Sequence, residues 1–387
     1  MSSKPATFNN FALSIYQTLA ENETGNIFLS PCSVSVTMAM VLLGAKDNTA
    51  LELKEGLGHC DMDDLEVHCN NLEILKTICD TKNSIVLEIV HKLFPDIAYN
   101  LKKEFIENCQ MFYESEIESK NFKQKSERSR LEINQWVEDE SNGKFKDLLP
   151  PGSIDNLTRL VVVNAVYFKG DWMRKFLQKD SMIMDFHINE RKCVKSFMMS
   201  VKDEFNYYYD CELKVQVLEL PYQGNDISLV LFVPDKIFGL KKLEKRLTAE
   251  KLMSLISGIS KKEVVIAVPK MKLELQYDLV PTLEKMGIKD VFDQNRAKLQ
   301  NISSGPELFI SAVVHRAVIE VNEEGTGTAA TTTSIAKSSR FKPIKAEPTK
   351  VICNHPFMFV IKHNTSQNIL FIGRLSTMSP LNDIVGN

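Results

Sequence analysis

Two His-Cys steps, His59-Cys60 and His68-Cys69, are where metal chemistry would first be sought, since imidazole and thiolate are zinc donors. They read more simply as helix flanks and a loop within a helical region. Gly325-x-Gly327 has the outline of a phosphate loop, but no Gly-Lys-Ser/Thr follows and its surroundings read as strand, not helix. No G-x-S-x-G elbow is present. Ser, His and Asp are abundant, so a triad drawn from them without geometry means nothing. Lys102-Lys103 and the lysines around it are weak candidates for a polyanion such as a glycosaminoglycan, because Asp and Glu are interleaved with them. His315 sits on an apolar strand face, where a histidine is most simply a satisfied core residue. The residues thus gather no catalytic constellation, and neither an enzyme nor a cofactor is implied.

The segment from Gly325 to Lys350 fits no ordinary element. Gly325 to Ala336 (GTGTAATTTSIA) has no charge, no proline and little bulk, and the polar, basic run Lys337-Ser338-Ser339-Arg340-Phe341-Lys342-Pro343 follows. A flexible linker would carry more Gly, Ser or charge and fewer Thr. As a strand, one face would be Thr326, Thr328, Ala330, Thr332, Ser334 and Ala336, all small enough to pack under a sheet. Such a segment lies exposed or enters a sheet beside Ser311 to Val321. An unused strand held outside by a barrier is kinetic rather than equilibrium stability.

The elements around it come from the rest of the 387 residues. The 44% hydrophobic content can build a large core, and 47 Lys plus Arg against 50 Asp plus Glu lacks the basic excess of a nucleic-acid binder. No apolar run approaches the ~20 residues of a membrane span. Phe8, Phe11, Ala12, Ile15 and Leu19 recur at helical spacing, so the N-terminus reads as a helix of the folded body, not a secretory signal. Expected with it are a cytoplasmic location, or release without a cleavable signal, and reduced thiols at all eight cysteines. The sequons at Asn22, Asn156, Asn301 and Asn364 would then go unused.

The first third reads mostly helical. Ser30-Pro31 opens a helix that Gly44 ends, and periodic segments follow at Leu51 to Leu57, Leu72 to Ile78, Ile85 to Leu93, Leu101 to Phe112 and Glu127 to Glu138. After Pro150-Pro151-Gly152 strands take over. Arg159 to Phe168 is a central buried strand, and Lys214 to Leu220 and Ile227 to Val233 form a hairpin about Tyr222-Gln223-Gly224-Asn225-Asp226. Val264 to Val268 and Met271 to Leu275 are further strands, while Lys242 to Ile256 and Leu279 to Met286 read as two helices. In Ser311 to Val321, Val313, His315, Ala317, Ile319 and Val321 share a face opposite Arg316 and Glu320. Phe357 to Ile361 and Ile369 to Phe371 close the chain. Helices first and sheets later, without a composition break, suggest one large α+β unit spanning residues 1–387.

VNEEGTGTAATTT resembles the proximal hinge of the serpins, and the likeness runs nearly end to end. Asn26 to Leu53 looks like their second-helix region, Ile133 to Trp172 like their central landmark, Leu218 to Asp235 like their β-hairpin, and Asn354 to Pro380 like their C-terminal signature. The early helix and free cysteines are most similar to the intracellular, ovalbumin-type branch. The resemblance implies the serpin fold, a helical region packed on three β-sheets with an exposed, insertable reactive-centre loop at about 323–350. It implies a monomer that acts as a suicide-substrate inhibitor. A serine protease of the chymotrypsin, trypsin or elastase type attacks the loop, and insertion of the cleaved loop traps the acyl-enzyme covalently. The alternative is a non-inhibitory member, acting as a binding, storage or chaperone-like protein.

On this likeness the hinge is Glu323, Glu324, Gly325, Thr326, Gly327, Thr328, Ala329 and Ala330. The departure is Gly327, where many inhibitory members carry Glu; an outward-facing Gly costs roughly 0.5–1 kcal/mol against Ala. Family spacing from Glu323 puts the scissile bond at Ser339-Arg340, a small residue suited to an elastase. The stretch on to His355-Pro356-Phe357 is longer than usual in the family, so Arg340-Phe341, suited to a trypsin-like protease, stays open. So do Phe341-Lys342, suited to a chymotrypsin-like one, and the bond after Lys337. Ser30, Ser33, Asn164 and His315 match the family's shutter network beneath the central sheet, and Trp172 matches the breach where the loop first enters.

Overall fold

The computed structural model describes residues 4–79, 85–305, 308–323 and 348–378. The N-terminal half is built on α1 (Lys4–Asn22), α2 (Pro31–Gly44), α3 (Asp47–Gly56), α4 (Asp64–Cys79), α5 (Lys103–Tyr113) and α6 (Phe122–Glu140). Short β1 (Ile27–Leu29) and β2 (Ile85–Pro95) lie among them. Then follow β3 (Leu160–Gly170), β4 (Met182–Asn189), β5 (Lys192–Asp210), β6 (Val215–Pro221), β7 (Ile227–Pro234), α7 (Leu240–Arg246), α8 (Ala249–Ser257), β8 (Ser260–Pro269), β9 (Met271–Asp278), α9 (Val280–Lys285), β10 (Ala312–Val321), β11 (Thr349–Ile352), β12 (Phe357–His363) and β13 (Ile369–Leu375). Among the described residues no helix is long and apolar enough to cross a membrane, and Cys32, Cys60, Cys69, Cys109, Cys193, Cys211 and Cys353 are free.

Two expected helices are corrected. Ile85 to Leu93 is a strand: its β-branched residues pair antiparallel with β3 along its whole length, from Ile85↔Gly170 to Pro95↔Leu160. An apolar run that reads as helical by period is here claimed by a long partner strand. Lys242 to Ile256 is interrupted, because Thr248 takes an extended backbone and its side chain caps the Lys251 amide, ending α7 and starting α8. The other predicted elements that fall on described residues form near their expected bounds.

The chain is α+β, with helices packed on two hydrogen-bonded ladders. The smaller has the order β2-β3-β10-β9; the larger runs β1-β13-β12-β7-β6-β5-β8-β11, with β4 beside β5. Three sheets were expected. The 19-residue β5 joins what would otherwise be two of them, pairing β4 through Lys192–Met198, β8 through Met198–Tyr207 and β6 through Asn206–Asp210.

In the smaller sheet β3 and β10 are direct parallel neighbours over eight pairs, Ala312↔Val161 to Ile319↔Phe168. Both outer flanks are antiparallel, β2 on β3 and β9 on β10. One face of this sheet carries a core with Phe122, Ile133 and Val137 of α6, and Val163, Tyr167, Val314 and Val318 of the strands. The segment after α6 is tied across that face: Arg316 donates to the Lys146 carbonyl at 2.7 Å and Gln276 to the Leu148 carbonyl at 2.8 Å.

Candidate functional site

The centre of the β3–β10 seam is polar and buried. His315 and Asn164 face each other in the ladder, and His315 Nδ1 lies 2.6 Å from Asn164 Oδ1. The Ser30 amide donates to His315 Nε2 at 3.1 Å, so Nε2 accepts and Nδ1 carries the proton. The ring is neutral, and full burial pushes its pKa from 6.5 to about 3. Asn164 Nδ2 turns to α2, donating to the Ser33 carbonyl at 3.2 Å, the Ser33 hydroxyl and the Thr37 hydroxyl at 2.7 Å. The Ser30 hydroxyl donates to the Leu370 carbonyl at 2.9 Å and accepts from the Ser33 amide at 3.2 Å.

Sequence explains this convergence. Ser30 is extended just before Pro31, the favoured first helical residue, so it caps α2, and Ser33 and Thr37 lie on successive turns of one face. Asn164 and His315 interrupt otherwise apolar strand faces, and burial then obliges them to bond. The network thus joins α2, β3, β10 and β13 through groups with almost no access to water. Thr37 belongs to it and was not singled out in the sequence; its i+4 spacing from Ser33 was the available signal.

At the other end the seam opens. The β3–β10 ladder stops at Ile319 and Phe168, while β3 continues to Gly170 on β2 and β10 continues to Val321 on β9. Trp172 closes this mouth. Its Nε1 donates to the Asn322 carbonyl at 2.7 Å, and its ring stacks on Tyr222 with centroids 4.5 Å apart and planes 12° off parallel. Gly170 lets them meet: a Cβ there would stand 2.6 Å from the Tyr222 ring. The Tyr222 hydroxyl and the Asn322 side-chain oxygen are buried without a partner among the described residues.

Glu323 is held at the same mouth. Its carbonyl accepts from the Phe176 amide at 3.0 Å, and its carboxylate lies 3.2 Å from Lys270 Nζ and 3.4 Å from the Ser181 hydroxyl. Lys270, in the one-residue link between β8 and β9, is a site residue that pattern reading missed, since a single exposed-looking lysine gives no signal. The rest of the expected hinge (Glu324, Gly325, Thr326, Gly327, Thr328, Ala329, Ala330) and the candidate cleavage positions Ser339, Arg340 and Phe341 lie outside the described residues.

Other candidates stay apart from this axis. His68 Nδ1 lies 2.6 Å from the Tyr113 hydroxyl, and burial lowers the pKa of both His59 and His68 to about 4. Among the described residues no three His, Cys, Asp or Glu side chains are gathered as for a metal ion. Lys103 pairs with Glu107 at 3.1 Å.

Comparison with known proteins points one way. A sequence model described as Serpin (serine protease inhibitor) matches residues 6–378. Leukocyte elastase inhibitor of Sus scrofa is 40% identical over 379 residues, covering 96% of this chain and 98% of that one. The Homo sapiens protein of the same name is 40% identical over 376 residues, covering 95% and 97%. Among solved structures, uncleaved ovalbumin superposes with a TM-score of 0.88 at 29% identity, covering 97% of this chain and all of that one.

Proposed function

The chain belongs to the serpin family, and from that premise we propose that it inhibits a serine protease as a suicide substrate. The observation that carries this reading is the β3–β10 seam. Two strands lie side by side with no strand between them, their ladder is already unpaired at one end, and Glu323, the first hinge residue, is anchored at that end. A strand of small residues leaving Glu323 has one way into the sheet, which is to part β3 from β10 from the Trp172 side.

The steps are these. A protease serine attacks the scissile carbonyl of the loop, the peptide C–N bond breaks, and the new amine leaves with the proton from the catalytic base. The acyl-enzyme ester then waits for water. If the freed upstream segment enters the seam first, the protease is carried with it and its site is distorted before hydrolysis. Insertion requires the contacts of His315, Asn164, Ser30 and Ser33 to exchange and the Arg316 and Gln276 bonds to the segment after α6 to release. His315 on this reading positions the sheet; it does no acid–base chemistry. The Trp172–Asn322 bond and the Lys270–Glu323 pair hold the mouth shut until cleavage.

The scissile bond is proposed at Ser339-Arg340. A small residue before the bond suits an elastase, the protease class in the name of the relatives; Arg340-Phe341 is the next choice. The whole of residues 1–387 acts as one unit without a cofactor. The test is incubation with an elastase, trypsin and chymotrypsin, followed by boiling in detergent and electrophoresis. A band at the summed mass, with the released C-terminal peptide beginning at Arg340, is the expected result. Clipping alone, with no such band for any of the three, would overturn the inhibitor reading in favour of a non-inhibitory member.

A further inference from the structure

Opposite the mouth, the β6–β7 hairpin ends in a different kind of surface. Trp172 bridges Tyr222 near the Pro221–Ser228 end of the hairpin, whereas Val215 and Pro234 pair at the far end. From there the chain turns through Asp235-Lys236-Ile237-Phe238-Gly239 into α7. Residues 235–246 carry five cations (Lys236, Lys241, Lys242, Lys245 and Arg246) against two carboxylates, a net of +3, so the remainder of a chain of net charge -3 carries -6.

The local carboxylates are already engaged. Asp235 accepts from the Tyr209 hydroxyl at 2.6 Å. Glu244 is buried, bonded to Tyr16 at 2.6 Å and to Arg374 at 2.9 Å. Glu212 takes Arg246 at 2.9 Å. Among the described residues, Lys236, Lys241, Lys242 and Lys245 are exposed and form no ion pair. Lys214, Lys236, Lys242 and Arg246 line a cleft of about 110 Å³ together with Glu212. That is room for a phosphate-sized group. Between these lysines two adjacent apolar side chains stand in water, Ile237 41% and Phe238 45% exposed.

Cations alone would suit any polyanion. A sulfated polysaccharide would use the lysines and leave Ile237 and Phe238 solvated. A bilayer takes both, the lysines at anionic headgroups and the apolar pair below them at the acyl boundary. We propose that this turn and α7 dock the protein on a bilayer bearing phosphatidylserine, with a headgroup phosphate in the cleft of Lys214, Lys236, Lys242 and Arg246. The net negative remainder is repelled by the same surface, so the patch also sets orientation and leaves the Trp172 end of the hairpin pointing away.

The test is sedimentation of the full chain with phosphatidylcholine vesicles, with and without phosphatidylserine, at rising salt. Binding is expected only with phosphatidylserine and is lost as salt rises. Lys236→Glu with Lys242→Glu should weaken it by on the order of tenfold or more. Ile237→Ser with Phe238→Ser should weaken it severalfold with the salt dependence unchanged. Lys102→Glu with Lys103→Glu should bind like the parent, and millimolar inorganic phosphate should not displace the protein. All substituted positions are solvent-exposed or only partly covered, and unchanged melting temperatures verify folding. Equal binding to both vesicle types, or binding indifferent to the 236/242 pair, overturns the proposal. So does retention on a sulfated polysaccharide or on phosphate without retention on vesicles.

Discussion

Lys270 Nζ lies 3.2 Å from the Glu323 carboxylate, and Glu323 is the last described residue after β10, at the mouth of the β3–β10 seam. The glutamate side chain is 10% exposed and the lysine 44%, so the pair is partly screened. Its contribution is about 1 kcal/mol. Glu323→Lys would set two cations together there and lower the urea midpoint of the intact protein by more than Glu323→Gln. The charge swap, Lys270→Glu with Glu323→Lys, should recover most of the loss in a double-mutant cycle. A swap no better than the single Glu323→Lys would mean the pair does not hold the mouth.

His315 sets an acid limit. Its folded pKa is about 3, below its ordinary 6.5, so the unfolded chain takes up a proton there that the fold refuses. Stability contributed by the neutral ring is fully present above 6.5 and falls as pH drops towards 3, by up to about 1.4 kcal/mol per pH unit. His59 and His68, each near 4, add losses of the same sign. Unfolding free energies at pH 7 and pH 5 should differ by about 2 kcal/mol less in His315→Gln than in the parent. An unchanged difference would show that His315 is not the buried neutral group described.

Filling the seam replaces one eight-pair ladder with two. At about 1 kcal/mol net per hydrogen bond and a few degrees per kcal/mol, the nicked protein should melt on the order of 10 °C higher than the intact one. Thr326→Arg, placing a cation on the face that must pack under the sheet, should divert most molecules from stable complex to clipped product. Differential scanning calorimetry and the boiled gel check the two halves separately. A nicked sample with an unshifted transition would deny insertion.

Gly170→Ala brings a methyl to 2.6 Å from the Tyr222 ring, and the Trp172–Tyr222 stack must give way. We expect a loss of about 1–3 kcal/mol and a changed tryptophan emission. A silent substitution would mean that the aromatic mouth is looser than its geometry.

Much of this was legible in the residues. Ser30-Pro31 announced a capped helix, Arg159 to Phe168 a buried strand, and the alternation through His315 a strand with one polar interruption. What escaped was decided by tertiary partners. Ile85 to Leu93 has enough apolar residues for either period, and an eleven-residue match with β3 made it a strand. Thr248 split one apparent helix through a single capping bond. Lys270 and Thr37 gained their meaning only when distant chain arrived beside them.

The arrangement of the smaller sheet has a bearing on reversibility. A ribbon admitted between β3 and β10 would be embraced from left and right at the same moment, with no raw margin exposed for a second copy to grip. Withdrawal would require tearing two rows of bonds in concert. On the proposed reading such a machine would fire once, and its supply would be renewed by synthesis rather than by turnover.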